Sequence, residues 1–378
     1  FVPLAISMGY DSIVGVSLCF VAAALGFAGA FLNPFTVGIA QGLSDIPLFS
    51  GIEYRLVMWM VINLVGFIYI LRYAAKIHKN PEKSPVYHED AYWRHRSEKT
   101  NDEFVRSVPV GSWISYASLS VFLILFSVFY PVTQLKIGNS GIDVPAVPGA
   151  TLLFIVSGFL SLRKSFHYFI LNLLLFAILF LIIGVMGYGW YIMEIATLFL
   201  VLGIFSGIAS GKTANEITRL FIAGAGDILS AALVVGLAGG IVVILEDGRI
   251  IDTLLYYASQ MMENLGKVGS VSVMYVIQTF LNIFIPSGSG KAALTMPMMS
   301  QFSDLIGISR QATVVAFQLG DGFTNMITPT SGVLIGVLGI ARIPYEIWFR
   351  WVAPFIVILF FLGFILLLPT VLMQLNGF

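Results

Sequence analysis

The 378-residue sequence predicts an all-α polytopic membrane protein, and three observations carry that reading. Only 11% of the residues are Asp, Glu, Lys or Arg, while 58% are hydrophobic. A typical soluble domain is about 25% charged, and so few charges do not cover a water-exposed surface without large apolar patches. Mean hydropathy is +0.92. Long runs carry no charged residue at all: 12–44, 107–135, 144–162, 165–193, 268–290, 322–341 and 351–378, with shorter ones at 56–71, 195–211 and 228–245. About 20 apolar residues cross a bilayer core as a helix. Backbone polar groups in lipid must pair internally, so these runs are helices or protein-buried breaks in helices. They are continuous, whereas a membrane β-barrel needs short alternating segments.

The run 12–44 opens the chain, and a second apolar stretch follows at 56–71. Residues 72–106 then hold eight of the 20 basic residues, from Arg72 to Arg106. The positive-inside bias places this stretch, as a loop over 76–111, in the cytoplasm of a cell whose inner membrane the chain crosses. Its histidines, His78, His88 and His95, fit no metal-ligand spacing and predict a solvated loop. Helix 112–131 leads out, and a loop near 133–148 faces outward. Helices 149–162, 167–187, 190–209 and about 220–245 follow. Residues 246–267, EDGRIIDTLLYYASQMMENLGK, set apolar residues at helical spacing beside charges and predict an amphipathic interfacial arm.

Two runs carry polar breaks. One is FAGAFLNPFTVGIAQG (27–42), with Asn33, Pro34 and Thr36; the other is GDGFTNMITPTSGVLIG (320–336), with Asn325, Thr328, Pro329, Thr330 and Ser331. Proline lacks the backbone donor and blocks the helical bond behind it. Pro34 and Pro329 are 295 residues apart, as are Arg55 and Arg350, and Asp45-Ile46-Pro47 matches Arg342-Ile343-Pro344 at nearly that separation. A weak repeat with a broken helix in each half points to a transporter binding site, against the plainer reading of two coincident proline kinks. A third break, Pro286-Ser287-Gly288-Ser289-Gly290-Lys291, lies between apolar arms that are short for full spans. It suits a re-entrant hairpin whose small residues let backbone amides approach an anion at a helix N-terminus, against the alternative of an extramembrane turn. The phosphate-loop pattern is not met, because Ala292 follows Lys291.

GYDSIVGV (9–16), GFAGAFLNPFTVGIAQG (26–42) and the stretch from Ile285 to Gly332 resemble the YfcC family, which belongs with the anaerobic dicarboxylate carriers and the wider ion-transporter superfamily. The resemblance covers essentially the whole chain. It implies two inverted repeats, each with a scaffold part, a re-entrant hairpin and a broken helix, an elevator-type carrier with scaffold and transport bundles, and a homodimer. It also implies a first-half hairpin before GYDSI. The chain starts at Phe1, so a further N-terminal region is expected. On this reading residues 1–54 are first-half transport bundle, 55–75 a scaffold helix, 76–111 the cytoplasmic loop and 112–245 scaffold helices with the repeat junction. The arm is 246–267, the second-half hairpin and broken helix 268–344, and the last scaffold helix 345–378.

Carried over by position, the hairpin tip Ser287, Gly288, Ser289 and Gly290 meets the break at Thr328, Pro329, Thr330 and Ser331, and Asn33, Pro34 and Thr36 join from the first half. Hydroxyls and bare carbonyls suit Na⁺ as a coupling ion, with Asp321, Ser289 and Thr330 as its candidate holders, and helix N-termini suit a carboxylate. Asp321 precedes Asn325 by four residues, on one helical face. An intramembrane carboxylate there carries a proton, holds Na⁺ or meets a substrate ammonium; pairing with Lys291 is the equal structural alternative. The leading expectation is a secondary carrier of a small carboxylate, a C4-dicarboxylate or another organic anion, coupled to Na⁺ or H⁺. An amino acid carrier or exchanger, for basic amino acids such as arginine or ornithine, is the alternative. No cofactor is expected. Four histidines and the lack of catalytic motifs argue against an enzyme, and zero net charge argues against nucleic acid.

Overall fold

The computed structural model describes residues 1–100, 108–137, 140–190, 192–262 and 265–378. Its helices in chain order are α1 (Val2–Ser7), α2 (Ser12–Val16), α3 (Ala22–Ala28), α4 (Ile39–Leu43), α5 (Ile52–Lys79) and α6 (Ala91–Thr100). Then come α7 (Val110–Phe129), α8 (Ala146–Lys164), α9 (Phe166–Tyr188), α10 (Ile192–Ala209), α11 (Ala214–Asp247) and α12 (Ile250–Met262). The last are α13 (Gly266–Phe284), α14 (Gly288–Leu305), α15 (Arg310–Thr324), α16 (Gly332–Ala341) and α17 (Tyr345–Leu372). Among the described residues, α5, α7, α8, α9, α13 and α17 are long and apolar enough to cross a bilayer. The chain is an all-helical multi-pass membrane protein, with one small exception. Where a loop near 133–148 is expected, β1 (Thr133–Ile137) and β2 (Ser140–Val144) form an antiparallel pair with Leu135 opposite Ile142.

The chain divides into two compact units, residues 1–100 with 227–378, and residues 101–226. In the second unit, Phe154, Leu162, Phe169, Leu173 and Phe176 form the core among α8 and α9. In the first, α15 is the central post. Every residue from Gln311 to Thr324 is buried, although the helix carries Gln311, Thr313, Gln318, Asp321 and Thr324. Gly320 and Gly322 make this possible. A Cβ on Gly320 would lie 2.8 Å from Cβ of Gln278 on α13, and one on Gly322 would lie 2.4 Å from Cα of Ala28 on α3. Small residues at such crossings let helix backbones approach closely.

Both predicted breaks are present. The run 12–44 is not one helix: π-helical turns at Ser17–Val21 and Pro34–Gly38 divide it, and α3 ends at Ala28. Such turns insert a residue into the helical ladder. The second break separates α15 from α16. Residues Asp45 (φ 52°) and Arg342 (φ 60°), each followed by Ile-Pro, both adopt the left-handed conformation, and α5 and α17, which follow them, each span 28 residues.

Two expectations are corrected. The arms beside Pro286 are not short, since α13 has 19 residues and α14 has 18. Gln278, Asn282 and Thr295 keep their hydropathy low while the helices continue. The stretch after α5 is solvated only in part: Asn80, Pro81, Glu82 and Lys83 are exposed, but the chain then folds back. Ser84, Val86 and Asp90 are buried. Asp11 caps α2 by accepting from the Val14 amide, and it also accepts from the Tyr73 and Ser84 hydroxyls. Asp90 accepts from the Ser12 amide at 2.9 Å. Polar partners hidden at the start of α2 therefore fold this stretch back onto the helices. Residues 101–107, inside the predicted 76–111 loop, lie outside the described residues.

Candidate functional site

The turn between α13 and α14 brings Ser287 to the N-cap of α14, where its hydroxyl accepts from the Gly290 amide. Ser287 and Ser289 are exposed, and Lys291, one turn into the helix, is buried. Gly288 lies at the meeting of three elements. A Cβ there would stand 2.6 Å from Cγ2 of Thr36, 3.1 Å from Oδ2 of Asp321 and 3.3 Å from Cζ of Phe27. The turn, the first-half break and α15 thus converge on Gly288. Of Pro34, only the backbone belongs to the described structure.

Lys291 and Asp321 pair across this junction, with Nζ 3.0 Å from Oδ1 and both side chains fully buried. At that distance the contact is a charge-assisted one, the stronger kind of hydrogen bond. Lys291 Nζ also donates to the Gln278 carbonyl at 3.3 Å and sits 5.1 Å from the centre of the Phe317 ring. Removing two charges from water costs several kcal/mol per ion, and pairing offsets that cost. The structural alternative weighed for Asp321 is therefore present as geometry, and the pair places a titratable group beside the turn.

The second break is braced by two helices, α13 and α17. Asn282 Nδ2 on α13 shares its two hydrogens among the Asp321 carbonyl, the Thr324 hydroxyl and the Asn325 side-chain oxygen, at 3.1, 2.8 and 2.9 Å. From α17, Trp348 Nε1 donates to the Met326 carbonyl and the Tyr345 hydroxyl to that of Ile327, at 2.9 and 2.7 Å. Thr330 donates to the Ile283 carbonyl at 2.6 Å. Ser331 caps α16 by accepting from the Leu334 amide. Pro329 is exposed between Thr328 and Thr330, in line with a proline that ends helical bonding. Asn325 Nδ2 stands 3.5 Å from Asp321 Oδ2, so the one-turn spacing read from the sequence brings the two side chains together.

Several buried oxygens find no donor: Thr36 Oγ1, Gln278 Oε1, Asn282 Oδ1, Gln318 Oε1 and Thr328 Oγ1. Buried polar atoms are nearly always paired, so each orphan calls for a partner that the chain does not supply. An oxygen-rich set of this kind accepts a hard cation or an ammonium. Sequence reasoning did not find Gln278, Asn282 and Gln318, although each was visible as an amide inside an apolar or helical stretch. It also passed over Arg55 as a site residue. Arg55 is 1% exposed, and its Nε and Nη2 have no partner. It lies one turn ahead of Trp59, whose Cα would be 2.9 Å from a Cβ on Gly29, at the end of α3. Among the described residues it has no counter-charge, and a buried guanidinium of that kind suits a carboxylate.

Helices that cross a bilayer, two interrupted helices and an ion pair sealed at their junction define a class of polytopic membrane protein with a polar interior site. Over residues 1–372 the chain matches the DcuC family model, described as a C4-dicarboxylate anaerobic carrier. The chain belongs to this family, which bears out the resemblance read from its sequence. Among curated proteins it is 31% identical over 382 residues to one of Escherichia coli (strain K12) named "Putative basic amino acid antiporter YfcC", covering 98% of this chain and 64% of that protein. It is 30% identical over 372 residues to an uncharacterized protein of Haemophilus influenzae (strain ATCC 51907 / DSM 11121 / KW20 / Rd), covering 98% and 62%. The chain spans just under two thirds of the length of these relatives. No solved structure matches it.

Proposed function

We propose that this chain is the membrane core of a secondary carrier that moves a small carboxylate across the inner membrane, coupled to Na⁺ or H⁺. The observation that carries the reading is the convergence of Gly288, Thr36 and the Lys291–Asp321 pair at the junction of a helical turn with two broken helices. Ser287, Gly288, Ser289 and Gly290, with Thr328, Pro329, Thr330 and Ser331, form the substrate side, and Asn33, Pro34, Thr36 and Asn325 complete it. The amide at the start of α14 and the Arg55 guanidinium favour an anion. Asp321 with the orphan oxygens serves the coupling cation. The internal pair is neutral as a whole, so it adds no net charge to the site.

An elevator built from inverted repeats accounts for the paired left-handed residues before Ile-Pro and for the equal lengths of α5 and α17. The basic stretch after α5 lies on the cytoplasmic side of this arrangement, and the working unit is a homodimer. A second reading, exchange of basic amino acids, rests on the Asp321 carboxylate and on the name of the E. coli relative. There a substrate ammonium or guanidinium competes with Lys291 for Asp321.

Thermal unfolding of the purified full-length protein tests both readings, against dicarboxylates, monocarboxylates and amino acids with and without Na⁺. A ligand at 100 times its Kd stabilises the folded state by about 2.7 kcal/mol. A Na⁺- or pH-dependent shift with a carboxylate class is expected. A shift with arginine or ornithine alone moves the assignment to the second reading, and no shift with any compound removes support for this site.

A further inference from the structure

A crevice of about 980 Å³ lies between the second half of α5 and the first half of α17, away from the Lys291–Asp321 site. Arg72 and Lys76 of α5, Lys83 of the following segment and Arg350 of α17 all face into it. No acidic residue is among the described residues that line it. Among the described residues these four cations make no ion pair; the ion pairs that do form lie elsewhere. Four like charges around one space repel each other unless an anion joins them.

The remainder of the crevice is apolar and aromatic. Tyr69 stacks on Phe355 with ring centres 4.4 Å apart, and the Tyr69 hydroxyl donates to the Trp351 carbonyl at 3.0 Å, so this floor is fixed. Ile68 and Ile358 form the open wall, 42% and 47% exposed on helices of spanning length. In a bilayer that wall faces acyl chains. From Val65 to Lys76 a helix rises about 16 Å, close to the depth of one leaflet of a ~30 Å core. The cations gather at one end of that rise and the apolar residues fill the rest. Charge at the headgroup level above one leaflet of apolar wall is the shape of a phospholipid, not of a free anion.

We propose that this crevice holds one anionic phospholipid of the leaflet on the side of the basic segment. Its phosphate lies among Arg72, Lys76, Lys83 and Arg350, and an acyl chain runs along the wall of Ile68 and Ile358. Guanidinium groups bind phosphate oxygens in pairs, and basic pockets between spanning helices suit such headgroups. The lipid joins α5 to α17, each of which follows one of the two broken helices.

Native mass spectrometry of the delipidated full-length protein tests the proposal with phosphatidylglycerol, phosphatidylcholine and inorganic phosphate as probes. Phosphatidylglycerol is expected to bind at least about tenfold more tightly than phosphatidylcholine, with the ratio falling in high salt. Inorganic phosphate at the same concentration is expected not to displace it. Combining Arg72→Gln, Lys76→Gln and Arg350→Gln should bring the ratio to about one, whereas Arg72→Lys with Arg350→Lys should keep most of it. Equal retention of the two lipids, displacement by inorganic phosphate, or selectivity unchanged in the triple variant each overturns the proposal. If the triple variant does not fold, the two comparisons on the unaltered protein decide it alone.

Discussion

The Lys291–Asp321 pair sets the terms for substitution at the centre of the first unit. Asp321→Asn leaves a buried ammonium without its counter-charge, and Lys291→Met leaves a carboxylate in the same position. Each single change is expected to lower stability by about 3–5 kcal/mol, and replacing both residues by apolar ones should recover most of the loss. Unfolding of the two single variants and the double variant checks this, since strictly additive losses would show that the pair is not an interacting unit. Gly288 gives a second test. Alanine there overlaps the Thr36 methyl group, so Gly288→Ala is expected to weaken ligand-induced stabilisation by about 1–3 kcal/mol. Adding Thr36→Ser removes that methyl and should restore the response. The sequence made Asp321 conspicuous because a carboxylate interrupts an apolar stretch. It also named Lys291 as its possible partner. The amides of Gln278, Asn282 and Gln318 escaped notice because a tally of charges passes over uncharged polar groups.

Among the elements, the breaks were legible and their internal form was not. Proline inside an apolar run locates Pro34 and Pro329, since its missing donor acts whatever surrounds it. The π-helical turns of the first half depend on packing, which spacing does not reveal. The burial of α15 was likewise hidden, because glutamines and an aspartate lower the hydropathy of a helix enclosed by α3 and α13. The pair β1–β2 was missed inside a chain read as helical throughout. The left-handed residue Asp45 yields a prediction on this scale. Its side chain is 88% exposed and pairs with Arg310 at 3.4 Å, which contributes little at a surface. Asp45→Gly is expected to stabilise the fold by about 0.5–1 kcal/mol by relieving the positive φ. A melting temperature that falls instead would give the Arg310 pair the larger role.

Across the whole chain, composition alone was enough to show a multi-pass membrane protein, because lipid imposes its constraint on every span at once. The docking of the segment after α5 was not legible, since it rests on distant partners such as Ser12 and Asp90, 78 residues apart. That docking responds to acidity. Burial raises the Asp90 carboxyl above its ordinary value, and Asp11 adds to the rise. The Ser12 contacts and Arg94 oppose it. The folded state therefore holds a proton on Asp90 at a pH where the unfolded chain has released it. The stability contribution is full below the ordinary carboxylate value and is lost as pH rises through the folded one. Melting temperature recorded from pH 4 upward should show this decline over about the first units. Asp90→Asn should flatten it, and an unchanged slope in that variant would assign the effect to another group.

The sealed pair also bears on how the protein is made. Lys291 leaves the ribosome 30 residues before Asp321. Until then the Lys291 ammonium of the newly made α14 lacks the partner that it has in the fold, which disfavours its partition into lipid. The turn at Gly288 is therefore expected to wait at the mouth of the insertion machinery, with α14 and α15 entering together as a neutral unit. A chain stalled ahead of Asp321 should leave a cysteine placed at Ser289 open to a water-soluble thiol reagent, and release of the chain past Thr324 should close it off.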